Sequence, residues 1–240
     1  MHLGTAAAPA HHTVYPTRIS GPETRTIVST DTIYRQIACG EPCWITTTDG
    51  IRHDLPIRRW LGGDASTCED RAVDEELLGL CGGSTVDLGC GPGRFTAALS
   101  ERGISALGID VSEAAVEMTL RRGGRAVHGD VFETPPTAAA WDHVLLADGN
   151  IGIGGNPHRM LQRARQLLHP QGTVVAEVDA HGTGILHERR RWETRHTATT
   201  WFAWSRVGGE AVHGLARAAG LVVATAAECS GRHLVTMRIA

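Results

Sequence analysis

The chain has 240 residues, enough for one α/β domain with a sizeable core, or for one domain plus an appendage. Its formal net charge is −3, from Lys+Arg 23 against Asp+Glu 26, which removes any global electrostatic reason to bind nucleic acid. Every basic residue is an arginine, so a lysine Schiff base and a P-loop lysine are excluded, and no apolar run approaches membrane-spanning length.

The six cysteines, Cys39, Cys43, Cys68, Cys81, Cys90 and Cys229, form no C-x-x-C pair. They read as reduced thiols of a cytoplasmic protein rather than a zinc site or a disulfide framework. Met1–Ala10 lacks the basic and apolar regions of a secretion signal. Residues 1–28 show no periodicity and read as a loose arm, from which Tyr15 and the His11-His12 pair can reach a site. Thr30-Asp31 are expected to cap a short helix over Thr32–Ala38, with Ile33, Tyr34 and Ile37 on one face. Trp44–Thr48, Asp49-Gly50 and Ile51–Leu55 predict a β-hairpin with a two-residue turn. Pro56 and Gly62-Gly63 end this unit. Ser66-Thr67-Cys68-Glu69 predicts a capping box at the start of a helix reaching Leu80. The division expected is an N-terminal arm, helix and hairpin over 1–64, acting as a lid, and a second domain over 65–240.

From Ser84 strands and helices alternate. Strands are expected at Thr85–Leu88, Ala106–Ile109, Arg125–His128, His143–Ala147, Thr173–Val178, Leu221–Ala226 and His233–Ile239. Helices are expected at Phe95–Glu101, Ser112–Arg122, Pro157–Leu168 and Arg206–Ala219. This order predicts a doubly wound, Rossmann-like parallel sheet, in which ligands sit at the carboxyl ends of the strands. Four strands end there in an acid: Asp110, Asp130, Asp148 and Asp179.

The organising stretch is Val86–Arg94, with Gly89, Gly91 and Gly93 between a strand and a helix. Glycines there let the backbone turn sharply and approach a ligand, and the next helix points its free amides into the same space. A dinucleotide fingerprint is G-x-G-x-x-G, whereas here the third glycine comes one residue early. Asp87 also precedes the loop, where a pyrophosphate is repelled and a cationic ligand is favoured. S-adenosylmethionine, with its sulfonium and α-amino groups, suits that acid.

Asp87–Gly93 resembles the first motif of the class I S-adenosylmethionine-dependent methyltransferases, and later motifs follow in register. Gly108-Ile-Asp110-Val111 is similar to the second, whose acid holds the ribose hydroxyls. Gly129-Asp130-Val131 is similar to the third, where the acid receives the adenine amino group and Phe132 packs on the ring. Leu146-Ala-Asp148-Gly-Asn150 occupies the fourth position, beside the methionine end and the acceptor, and Leu168–Gly172 resembles the turn before the fifth strand. The resemblance implies a mostly parallel seven-stranded sheet with an antiparallel last strand, preceded here by the helix-hairpin appendage. It also implies cofactor contacts from Asp87, Gly89, Gly91, Gly93, Asp110, Val111, Asp130, Val131 and Asp148, with S-adenosylhomocysteine as product.

Methyl transfer is an in-line displacement, and an oxygen or nitrogen acceptor must also lose a proton to a base. His181, two residues past Asp179, is the expected base, with Asp148 and Asn150 completing the catalytic group; His53 and His187 are weaker candidates. Ala180 follows Asp179 where metal-dependent relatives carry an Asp-Asn pair, so no metal is expected. Ala-Asp-Gly-Asn replaces the Asn/Asp-Pro-Pro-aromatic run of the nucleic-acid N-methyltransferases, which again points away from nucleic acid.

Tyr34, Trp44, Asn150, Asn156 and Trp204 are the expected acceptor contacts. The glycine-rich loop 149–156 is read as offering its amides to the acceptor. The run His187–His196 is read first as a solvated helix face, and the aromatics Trp201–Trp204 as core. Together they would line a pocket for an anionic or aromatic small molecule. The expectation is therefore a methyltransferase, monomeric or homodimeric, acting on a small molecule such as a secondary metabolite, without nucleic acid or membrane. Two alternatives stay open: a protein that binds the cofactor without transferring a methyl group, and a nicotinamide-dependent oxidoreductase.

Overall fold

The computed structural model describes residues 17–18, 25–62, 66–133 and 140–240. Tyr15, His11 and His12 lie outside the described residues, as does most of the expected arm. Two sheets share the molecule. The first is built from β5 (Thr85–Leu88), β6 (Ala106–Asp110), β7 (Ala126–His128), β8 (Trp141–Leu146), β9 (Leu168–Val178), β13 (Leu221–Cys229) and β14 (Arg232–Ile239). Its order is β13-β14-β9-β8-β5-β6-β7. The pairs among β5, β6, β7, β8 and β9 are parallel, while β14 runs antiparallel to both β9 and β13. This is the doubly wound, seven-stranded sheet expected, with its antiparallel final strand. The helices α3 (Cys68–Gly79), α4 (Arg94–Glu101), α5 (Glu113–Arg121), α6 (Pro157–Leu167) and α7 (Gly209–Ala218) accompany these strands.

Central strands of a covered sheet are apolar on both faces. Val86 and Leu88 of β5, Val144 and Leu146 of β8, and Val174 and Ala176 of β9 share one core with Met160, Leu161 and Ala164 of α6. The opposite face packs Leu145 and Val175 against Val73 and Leu77 of α3 and Phe95 and Leu99 of α4. Each fully buried leucine or valine contributes about 1.5–3 kcal/mol, so this double-sided core holds the strand ends in fixed relation.

The second sheet joins distant segments. It contains β1 (Thr17–Arg18), β2 (Thr26–Ile27), β3 (Trp44–Thr47), β4 (Ile51–Asp54), β10 (Ile185–Glu193), β11 (Thr197–Ala198) and β12 (Phe202–Val207). Its order is β1-β4-β3-β10-β11-β2, with β12 also paired to β10. The hairpin and the insert after β9 therefore form one cap, drawing strands from both sides of residue 64. The helices α1 (Thr30–Ala38) and α2 (Ile57–Leu61) lie with it, and Ile33, Ile37, Cys43, Leu55, Leu61 and Trp192 form its own small core.

Several local expectations are corrected. Ser29, not Thr30-Asp31, caps α1, and its hydroxyl accepts from Thr32 N. Asp31 instead accepts from Ser112 Oγ at 2.6 Å and Ala114 N at 3.0 Å, tying α1 to the start of α5. The capping box of α3 is Thr67 with Asp70, one residue later than predicted. The hairpin loop is three residues long, because Thr46 pairs with Arg52 and Gly50 takes φ +80°. The arginine run is strand β10 rather than a helix face, and Arg206 lies within β12 rather than opening α7. Loop 149–156 is folded: residues Asn150–Gly152 make a 3-10 turn, and Ile153 bridges Trp204.

Candidate active site

A cavity of about 800 Å³ lies between the carboxyl ends of the core strands and the cap. Its floor is the glycine loop. Gly89, Gly91 and Gly93 all take positive φ, between 54° and 79°, which only glycine adopts without strain. At Gly93 a side chain is excluded outright, since a Cβ would fall 2.3 Å from Thr119 Oγ1. At Gly91 the nearest atom is the Tyr34 hydroxyl, 3.4 Å from the same construction, so α1 roofs the loop directly.

The acids arrive at this floor by different routes. Asp87, at the end of β5, is buried and accepts from Thr96 Oγ1 at 2.9 Å. Burial pushes its carboxyl up to about 7, against the Thr96 hydrogen bond and the Arg94 charge. Asp110, at the end of β6, accepts from Gly91 N at 2.8 Å and Ser112 N at 2.9 Å, so it braces the loop as well as facing the cavity. Burial raises its pKa against those two amides. Asp130 lines the cavity and accepts from Phe132 N at 2.9 Å; Val131 beside it is buried, and Val111 is exposed along the same wall. Phe132 presents its ring there too, with the Arg159 guanidinium 4.0 Å from its centroid. The predicted cofactor positions Asp87, Gly89, Gly91, Asp110, Val111, Asp130, Val131 and Asp148 thus line one cavity, and Gly93 sits beneath it as the cap of α4.

Asp148 is held in a left-handed conformation, φ 53°, amid guanidinium groups. Arg94 Nη2 reaches its Oδ2 at 2.7 Å, Arg59 Nη2 its Oδ1 at 2.8 Å, and Arg232 Nη2 the same oxygen at 3.4 Å. Burial alone would raise its pKa, but the three arginines outweigh it and the net shift is downward. A carboxylate so held does not take a proton near neutrality. Asp74 pairs with Arg94, and Glu177 accepts from Arg232 Nε at 2.6 Å, so the network spans α3, α4, the turn after β8, β9, β14 and the cap helix α2.

The other predicted residues divide. Tyr34, Asn150 and Trp204 line the cavity. Asn150 spends its amide on the loop, donating to Leu88 O and Gly89 O, each at 2.9 Å. Asn156 caps α6 by accepting from Arg159 N, and Trp44 donates to the buried Glu193 at 2.9 Å inside the cap; neither is on the cavity wall. His181, the expected base, is also off that wall. Its side chain is 72% exposed and faces Glu210 at 3.8 Å. His187 is tied to Ser205 Oγ at 2.8 Å, and among the described residues His53 is the histidine that lines the cavity.

Sequence reasoning read the insert as a pocket lining and named Trp204, but did not single out the other residues of the cap face. Glu188, Arg190 and Trp192 of β10, and Phe202 and Arg206 of β12, line the cavity with Trp204. Their spacing of two residues is the strand period that would have revealed it. Arg59 and Trp60, on the five-residue α2, carry no such pattern.

Residues 85–172 match the family model described as a methyltransferase domain. No curated protein sequence is significantly similar to the chain. Among solved structures, a S-adenosylmethionine-dependent methyltransferase from Bacteroides fragilis, in complex with S-adenosyl-L-homocysteine, is similar with a TM-score of 0.71. The two are 17% identical, over 90% of this chain and 98% of that one. The CcbJ methyltransferase from Streptomyces caelestis is similar with a TM-score of 0.57 and 17% identity, over 75% of this chain and 93% of that one. The glycopeptide N-methyltransferase MtfA, complexed with S-adenosylmethionine, is similar at 0.54 and 14% identity, over 70% and 93%. The chain thus matches a methyltransferase domain model over residues 85–172 and shares the fold of these S-adenosylmethionine-dependent methyltransferases.

Proposed function

We propose that the chain moves a methyl group from S-adenosylmethionine to an oxygen or nitrogen, rather than a carbon, of a small-molecule acceptor. The observation that carries this reading is the convergence of the glycine loop with Asp87, Asp110 and Asp130 on one cavity. A buried carboxylate with a raised pKa, beside a backbone that only glycine permits, fits a ligand with a cationic amino group. Asp87 would hold that group, Asp110 the ribose hydroxyls, and Asp130 the adenine amino group. Val111 and Val131 would border the adenosine, while Gly89, Gly91 and Gly93 let it approach the backbone. When bound, the cofactor supplies the electrophilic methyl group.

The chain's own part is alignment and proton handling. Fixing the acceptor in line accounts for about 7–11 kcal/mol of barrier lowering in well-oriented systems. Asp148, kept ionised by three arginines, would hold the charge pattern beside the methionine end, and Asn150 would hold the loop it abuts. His53 replaces His181 as the proposed proton acceptor, because it lies on the cavity wall. Tyr34 and Trp204 remain proposed acceptor contacts; Trp44 and Asn156 are reassigned to structural support.

The two-part division at residue 64 is kept as a proposal in which residues 1–64 cover the domain 65–240, with the β10–β12 insert completing the cover. A cavity of about 800 Å³ suits a small molecule. The net charge of −3 favours an acceptor other than nucleic acid, and six thiols without disulfides favour the cytoplasm. No described helix is long and apolar enough to cross a membrane. A monomer or homodimer is proposed. Of the similar structures, MtfA is a glycopeptide N-methyltransferase, which agrees with an acceptor nitrogen. Calorimetric titration with S-adenosylhomocysteine tests the reading: micromolar binding is expected, and absence of binding overturns it.

A further inference from the structure

The main cavity meets a side pocket of about 200 Å³, and Arg59, Asp148, Arg190, Trp204 and Arg206 line both. The carboxylates at this junction are engaged. Asp148 offers Oδ1 to Arg59 and Arg232 and Oδ2 to Arg94; Asp179 offers Oδ1 to Arg206; Glu188 offers Oε2 to Arg190. One donor, by contrast, is left over. Arg59 makes its ion pair through Nη2, while its Nε is buried and has no partner. A buried guanidinium N–H without an acceptor is costly, and a planar two-oxygen anion matches the guanidinium fork.

The surroundings are aromatic. Trp60, next to Arg59 in the chain, packs on Trp192 with centroids 5.6 Å apart and planes at 31°. Trp204 lies 5.3 Å from the Arg190 guanidinium and 6.4 Å from Phe202. These rings all line the cavity, on the cap side.

Resting on the methyl-transfer reading, we propose that the acceptor is a planar aromatic carboxylate. Its carboxylate is taken by the unused Arg59 Nε–H, and its ring lies on the Trp192–Trp204 face of the cap. The orphan Nε then marks a specificity-determining contact that the methyl-transfer chemistry itself does not require.

The test uses the full chain saturated with S-adenosylhomocysteine and follows tryptophan fluorescence. The probes are salicylate, 4-aminobenzoate and indole-3-carboxylate, each beside its primary amide. The acids are expected to bind about tenfold or more tighter than their amides. Arg59→Gln should abolish that preference, Arg59→Lys should weaken it, and Trp204→Leu should weaken acids and amides alike. Should Arg59→Gln fail to fold, the wild-type ratio and the lysine variant decide. Equal binding of acid and amide, no binding of any acid, or an unchanged ratio in the folded arginine variants overturns the proposal. Failure of S-adenosylhomocysteine itself to bind, measured first, would instead overturn the methyl-transfer reading.

Discussion

Burial holds the Asp87 carboxyl near 7, so in the unliganded chain it is about half protonated at neutral pH. An ammonium group favours the carboxylate form. Cofactor affinity is therefore expected to rise as pH increases from 6 to 8, with proton release on binding below pH 7. Calorimetry in buffers of different ionisation enthalpy reads that proton directly. Stability runs the other way. The folded pKa lies above the ordinary value of 3.8, so the stabilising contribution is full below that value and is lost as pH rises through about 7. Asp87→Asn should remove both trends and weaken binding by about 1.5–3 kcal/mol, as for a hydrogen bond to a charged group. For the proton acceptor, His53→Ala should lower turnover about a hundredfold, the lower end of typical general-base contributions. His181→Ala should leave turnover unchanged, since that ring faces solvent and Glu210.

At the scale of elements, the loop after β8 shows what spacing conveys and what it conceals. Its glycines suggest a loop that offers its amides to an acceptor, yet a Cβ on Gly152 would fall 1.8 Å from Ser205 O. The loop is clamped against β12, and Asn156 starts α6. Gly152→Ala should destabilise the chain by about 1–3 kcal/mol or more, visible in thermal unfolding, because the obstacle is backbone and cannot rotate away. The parallel core was legible because each strand, turn and helix carries local periodicity, and because an acid at each strand end repeats the pattern. Asp87, Gly89 and Gly91 could be found in one contiguous stretch. The cap was legible only in pieces, as a hairpin, an insert and Trp204, since its face is assembled from β10, β12 and the hairpin, whose pairing leaves no local mark. The arginine run hid a strand whose alternate side chains, Glu188 and Arg190, look identical to a charged helix in composition. Arg59 was invisible for a different reason: its role comes from reaching Asp148 across the cavity, not from its neighbours in the chain.

At the scale of the molecule, the cap is tied to the core at several points, among them two side-chain links. Asp31 meets the amino end of α5, and Arg59 meets Asp148. The second joins a network of Arg94, Arg232, Asp74 and Glu177. Asp148→Ala would leave Arg59, Arg94 and Arg232 short of a carboxylate, and breaking such a partly buried network costs about 3–5 kcal/mol. A fall in unfolding free energy of that size, read from denaturant titration, with S-adenosylhomocysteine affinity also reduced, is expected. Loss of affinity without loss of stability would instead make Asp148 a ligand contact alone.

The pairing of β3 with β10 also sets a timetable. Trp44 and Glu193 are partners across the seam, with most of the core encoded between them. On a ribosome the hairpin emerges early but must wait for the insert before its sheet can form. The roof of the cavity is thus completed after the parallel strands beneath it have been synthesised, and such distant pairing is intrinsically slow. A nascent chain stalled before residue 185 would expose Trp44 and the unpaired edge of β3, the point at which a chaperone has most to protect.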